Sequence, residues 1–163
     1  MLLPDNGEIL FCGENLSAKH RFIDSMGVMI ETPGFIPHYS GMKNLKILNS
    51  MSVNPVPAEE IKALGERLGL DMKNRHPVRT YSLGMRQKLG IIQAVMNKPE
   101  LLILDEPMNS LDSASVSEIR KLFAELNKAG TTIILASHIA EDIESLCTRK
   151  FTVENCKVKE VQT

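Results

Sequence analysis

Two uninterrupted apolar runs limit what this chain can fold into more than any other feature: Leu101-Leu102-Ile103-Leu104 and Thr131-Thr132-Ile133-Ile134-Leu135-Ala136. Neither alternates apolar with polar residues, so each reads as a strand buried on both faces of a sheet. The second is rich in β-branched residues, which favour strands. Between them Val116, Ile119, Leu122, Phe123 and Leu126 recur at helical spacing, with Gly130 as the stop and Ser115 with Glu118 as a capping box. Strand, helix and strand in that order demand a right-handed crossover and a parallel sheet. The expected class is α/β.

Two further strands are expected, at residues 8–12 (EILFC) and 26–30 (MGVMI). Pro4-Asp5-Asn6-Gly7 precedes the first, and Glu31-Thr32-Pro33-Gly34 forces a loop after the second. Residues 39–97 read as helical. Ile61, Leu64 and Leu68 form one stripe behind Pro57 with Gly69 as its stop, and Met85, Leu89, Ile92 and Met96 form another. With 163 residues there is room for one domain, so this stretch is expected as a helical subdomain inserted in an α/β core spanning 1–163. A short helix carrying Ile139, Ile143 and Leu146 follows the last apolar run, and the tail suits an edge hairpin turning at Asn155-Cys156.

Composition removes several function classes. Lysine plus arginine number 19 against 20 acidic residues, and aromatics are 4% with no tryptophan, so no nucleic-acid partner is expected. The three cysteines, Cys12, Cys147 and Cys156, lack C-x-x-C spacing and read as reduced thiols. His20, His38 and His76 show no metal-ligand spacing. No apolar run reaches the roughly 20 residues that span a bilayer, and residues 1–7 lack a signal-peptide pattern. A cytoplasmic protein is expected, touching a membrane only through a partner.

Chemistry concentrates at four places. After Leu101-Leu102-Ile103-Leu104 come Asp105, Glu106 and Pro107. In open parallel sheets ligands bind beyond the C-terminal strand ends, where one carboxylate can hold Mg²⁺ beside a nucleotide phosphate and another can deprotonate water. Tyr81-Ser82-Leu83-Gly84-Met85-Arg86-Gln87 opens a helix with a hydroxyl and a glycine, which suits either an anion site or an ordinary N-cap. Ser110-Leu111-Asp112 follows the acidic pair, and His138 follows the second apolar run, where it can reach a γ-phosphate or serve as a structural histidine.

The order of these motifs resembles an ABC transporter ATPase. Ser82, Leu83, Gly84 and Met85 look like its signature, Leu101 to Pro107 like Walker B, Ser110, Leu111 and Asp112 like the D-loop, and His138 like the switch histidine. Glu31, within Ile30-Glu31-Thr32-Pro33-Gly34-Phe35, stands at the Q-loop position, and with the YSLGM signature it resembles bacitracin and lantibiotic exporters. The resemblance implies a P-loop NTPase-type sheet, ATP and Mg²⁺, and two such domains sandwiching two ATP molecules. It also implies a transmembrane permease that holds the protein to the inner membrane face. Glu106 is implied as general base, Asp105 and Glu31 as metal ligands, His138 as γ-phosphate sensor, and the signature as a contact to the partner's ATP.

One element of that family is missing from these residues. None of the ten glycines precedes a lysine, so there is no G-x-x-x-x-G-K-[ST]. In the family it comes just before a stretch like Leu2-Leu3-Pro4-Asp5-Asn6-Gly7, and its strand lies inside the sheet. An incomplete sheet is therefore expected, with gaps beside both apolar strands and no ATPase activity from this chain alone. Two other readings compete with an exporter subunit: a non-catalytic remnant or regulatory module that binds a partner ATPase, and a soluble ABC protein outside transport.

Overall fold

The computed structural model describes residues 4–16, 25–31 and 34–161. Leu2, Leu3, His20, Thr32 and Pro33, named above, lie outside them. The chain opens with a small antiparallel hairpin, β1 (Leu10–Phe11) and β2 (Glu14–Asn15). Its two-residue turn, Cys12-Gly13, has φ of 50° and 82°, the positive pair a tight hairpin requires. The strand expected at 8–12 is thus a short exposed hairpin arm rather than part of the main sheet. Leu10 stays 57% exposed, so no core burial extends it.

The main sheet is parallel and three-stranded, in the order β3 (Met26–Met29), β4 (Leu101–Asp105), β5 (Thr132–Ala136). Three helices fill the interval between β3 and β4: α1 (Gly41–Ser50), α2 (Ala58–Arg67) and α3 (Leu83–Val95). Helix α4 (Ser113–Lys128) joins β4 to β5, and α5 (Ala140–Leu146) follows. The chain closes with the hairpin β6 (Lys150–Glu154) and β7 (Lys157–Val161). Asn155 and Cys156, at φ 49° and 59°, make its turn without glycine.

Local chemistry sets the helix ends. After α2, Gly69 at φ 67° lets its N–H reach Glu66 O at 3.1 Å and that of Leu70 reach Gly65 O at 2.8 Å. After α4, Gly130 at φ 108° repeats the arrangement, with Gly130 N to Asn127 O and Thr131 N to Leu126 O both at 3.0 Å. Both are double bonds of the Schellman type, which satisfy orphaned carbonyls. The start of α4 differs from the expected capping box. Asp112 is the N-cap, its Oδ1 accepting from Ser115 N at 2.9 Å and its Oδ2 from Ser115 Oγ at 2.8 Å. Glu118 pairs instead with Lys121 and Arg67. Ser115 thus lies in the first turn and donates its amide and hydroxyl to the Asp112 carboxylate, so it is not free to cap a later start.

The two sheet faces are unequal. Gly27, Leu102 and Ile133 share a register row, as do Met29, Leu104 and Leu135. On this face Leu102 and Leu104 are buried in one core with Leu89, Ile91 and Ile92 of α3 and Ile119, Leu122 and Phe123 of α4. Each such side chain contributes about 1.5–3 kcal/mol relative to exposure. The opposite row, Val28, Ile103 and Ile134, lies outside that core, and Ile134 is 54% exposed. β4 has neighbours on both sides, so the expected gap beside it does not exist. β5 does have an open edge among the described residues, and its residues alternate between exposed and half-buried. It is not the doubly buried strand its composition suggests, because only one face is covered and only one edge is paired.

Candidate functional site

Parallel strands bring their C-terminal ends to one rim. Asp105 is the last residue of β4, half-buried, and its carboxylate makes no hydrogen bond or ion pair with any described residue. Glu106 follows at φ 47°, a conformation costly for a side-chain-bearing residue and characteristic of functional sites. Two contacts hold it there. Its N–H donates to Ala136 O at 2.9 Å, extending the β4–β5 ladder by one bond. Its carbonyl accepts from Gln87 Nε2 at 2.9 Å, and the same amide donates to Pro107 O at 3.0 Å.

The Glu106 side chain turns toward the end of β5. Its Oε1 accepts from the His138 N–H at 2.9 Å and lies 2.7 Å from His138 Nδ1. With the ring proton on Nδ1, His138 fixes this oxygen through two bonds. The other oxygen, Oε2, is buried and has no partner. An unpaired buried acceptor of this kind costs about 1–3 kcal/mol. The pair therefore presents a carboxylate held through one oxygen, with the other enclosed and unpaired.

The start of α3 closes the rim from the side. Ser82 is its N-cap, accepting from Met85 N at 3.2 Å, and Leu83 beside it is 49% exposed. A Cβ on Gly84 would lie 3.0 Å from Ser110 O, so the helix start and residues 110–111 pack backbone to backbone. Ser110 itself sits at φ 64°. Asp112 faces α4, and the hydrogen bond from the Ser115 amide, followed by that from its hydroxyl, holds its carboxyl below the usual range.

Register places the remaining candidate. Met29, the last residue of β3, is level with Leu104, so Glu31 follows β3 out of the sheet at the same rim. Glu31 is exposed at φ 53°. The structure thus gathers Asp105, Glu106, His138, Glu31, Ser82 to Met85 and Ser110 to Asp112 at one end of the sheet. His38 and His76 lie exposed, Cys12, Cys147 and Cys156 are free, and among the described residues no three metal-ligating side chains cluster. Gln87 is the residue whose part the sequence did not disclose. It is buried, and its bonds cross to residues 19 and 20 positions away, a span no local pattern encodes.

A family model described as ABC transporter matches residues 1–109. The chain is 35% identical over 161 residues to YdbJ, an ABC transporter ATP-binding protein of Bacillus subtilis, covering 98% of this chain and 52% of that one. It is 40% identical to the bacitracin transport ATP-binding protein BcrA of Enterococcus faecalis, covering 90% of this chain and 48% of that one. To the lantibiotic transport ATP-binding protein SrtF of Streptococcus pyogenes it is 36% identical, covering 86% and 60%. The chain therefore spans about half the length of the first two relatives. Its fold matches the dimeric ABC transporter cassette MJ0796 with a TM-score of 0.82 at 17% identity, covering 99% of this chain and 76% of that one. A post-hydrolysis form of that cassette, bound to ADP and Pi, matches with a TM-score of 0.81.

Proposed function

The chain belongs to the ABC transporter family of ATP-binding domains, and we propose that it is part of an ATP-hydrolysing subunit that drives export of antimicrobial peptides. One observation carries the catalytic part: Glu106 is held through Oε1 by His138 while its Oε2 is buried and unpaired, next to the unpaired carboxylate of Asp105. Likeness to the bacitracin and lantibiotic proteins supports the substrate class.

In this reading the Glu106 carboxylate takes the proton from the attacking water, and His138 holds that carboxylate in place while its ring edge faces the γ-phosphate. Asp105, a free oxygen donor, and Glu31 on the neighbouring loop would hold Mg²⁺. One or two carboxylates plus phosphate oxygens are an ordinary Mg²⁺ donor set, so the residues fit the ion without a larger protein cluster. When bound, the ion neutralises charge on the phosphate oxygens. Ser82, Leu83, Gly84 and Met85 face the ATP of a second domain, and Ser110, Leu111 and Asp112 line the contact between domains. In this reading residues 39–97 form the helical subdomain of a partial ABC ATPase domain, 1–163. Among the described residues no helix is long and apolar enough to cross a membrane. The likeness to transport ATP-binding proteins supports a permease partner that supplies the membrane part and places the subunit at the inner face.

A second reading has its own observation. The 163 residues contain no G-x-x-x-x-G-K-[ST], and a protein that lacked one throughout would be a non-catalytic module that binds a partner ATPase. Fusing the P-loop segment of the Enterococcus faecalis relative to this chain separates the two. The fusion should hydrolyse ATP. Glu106→Gln should then slow turnover by about 10²-fold or more with nucleotide binding kept, since the amide cannot accept the proton. Asp105→Asn should weaken metal-dependent nucleotide binding instead. A fusion without activity, or a Glu106→Gln form within about threefold of its parent, would overturn the catalytic reading.

A further inference from the structure

Behind His138 lies a second polar cluster outside the groups treated above. Asp142, in α5, is 1% exposed, and its carboxylate points into the protein. Arg120 of α4 meets its Oδ1 with Nε at 3.0 Å and Nη2 at 2.5 Å. The third guanidinium nitrogen reaches Glu141 Oε1 at 2.6 Å. These contacts raise the Arg120 pKa, the bond to Glu141 most and that to Asp142 next. The other Asp142 oxygen, Oδ2, accepts from Ser137 Oγ at 3.3 Å, and that hydroxyl in turn accepts from the Ile139 N–H at 3.1 Å. The Asp142 N–H donates to Ile139 O at 3.1 Å.

Of the two residues that flank His138, Ser137 is therefore tied to the Asp142 carboxylate and passes the tie on to the Ile139 N–H, while the Asp142 backbone holds Ile139 O. His138 itself is 71% exposed in its side chain and has its bonds only toward Glu106. The turn is braced from behind by a buried charge pair and meets Glu106 in front. Burying a charge pair is a poor way to join two helices, because apolar residues of similar volume do so as well or better. The directional bonds of a guanidinium fork do what apolar packing cannot: they fix the angle of the turn.

We propose that Arg120 and Asp142 are positioning residues that hold the His138 turn so that its N–H and ring meet Glu106. The catalytic meaning of this rests on the reading of Glu106 and His138 given above; the positioning itself does not. Neither residue touches the reacting atoms.

The test uses the 163-residue chain and two NMR signals of His138: exchange of its backbone amide and the ¹⁵N pattern of its ring. In the parent the ring proton is expected on Nδ1, facing Glu106. Arg120→Met should speed exchange of the His138 and Ile139 amides at least tenfold and move the ring pattern toward that of the Glu106→Gln chain. Amides of Leu102 and Leu104 in β4 should be unmoved. Arg120→Lys, which keeps the charge and loses the fork, should give a partial effect, and Asp142→Asn should follow Arg120→Met. Arg67→Met, which removes an α4 ion pair with Glu118 and Glu125 on another face, is the control and should leave both His138 signals alone. Unchanged His138 signals in Arg120→Met and Asp142→Asn would overturn the proposal. So would equal acceleration across α4, α5 and β4, which marks a pair that serves stability only. An active Glu106→Gln fusion would remove the catalytic reading and leave these signals as predicted, so the two failures are distinct.

Discussion

A single hydrogen decides how closely α3 approaches the sheet. A Cβ on Gly27 of β3 would lie 1.9 Å from Ala94 O and 2.9 Å from Leu102 Cδ1. The first is backbone in the last turn of α3 and cannot move alone. Gly27→Ala should cost about 1–3 kcal/mol or more by chemical denaturation. Gly65 in α2 is closed as well: a Cβ would meet Met72 Cγ at 2.1 Å and Sδ at 2.7 Å, within the core, and the Leu70 carbonyl oxygen at 3.1 Å. Gly65→Ala should also destabilise, by less than Gly27→Ala, because the helix regains about 0.5–1 kcal/mol from losing its glycine. Asp112 supplies a pH dependence at the same scale. Its folded pKa is depressed by the Ser115 amide and hydroxyl, so its stabilisation is present above the unfolded pKa and is lost as pH falls through the folded one. Melts between about pH 5 and about pH 3 should show the parent losing more stability than Asp112→Asn, which caps without titrating. What the sequence disclosed at this scale was the set of groups that share a short motif, such as Asp105 with Glu106. The Gln87, Arg120 and Asp142 contacts join segments far apart in the chain, and no spacing rule reaches across them.

Elements were legible where one period ran unbroken. The stripes of α2, α3 and α4 and the runs of β4 and β5 stand where their patterns put them, since helical and strand periods differ too much to be confused over ten residues. The environment of a strand was less legible. LLIL and TTIILA look alike as sequences, yet β4 is central and β5 has an open edge and an uncovered face, because burial depends on neighbours that composition does not name. β5 carries no lysine, proline or bulge, the usual protection of an edge. Ile134→Lys, on the uncovered face, should therefore change stability by less than about 0.5 kcal/mol and reduce association seen by light scattering. Leu102→Ala, on the covered face of β4, should cost about 2–5 kcal/mol. Equal costs for the two would mean that both faces of the sheet are covered in solution.

For the whole molecule, the order of elements was readable because parallel crossovers leave few alternatives, and the rim where Asp105, Glu106 and His138 meet follows from that order. Whether the rim can hold a nucleotide is a question of what surrounds it. Micromolar affinity needs about −8.2 kcal/mol. The rim offers three carboxylates, Glu31, Asp105 and Glu106, which repel a polyphosphate unless a metal ion lies between. The Ser82 hydroxyl already accepts the Met85 amide, and the sequence contains no glycine-rich lysine loop to turn N–H groups toward phosphates. A single metal-mediated carboxylate contact cannot make up that free energy against the cost of immobilising the ligand. Calorimetric titration of the 163-residue chain with Mg-ATP should therefore show no binding at micromolar concentrations, and the P-loop fusion should bind. Micromolar binding by the chain alone, abolished by Asp105→Asn, would mean that these residues form a complete nucleotide site, with the phosphates held by groups other than a P-loop.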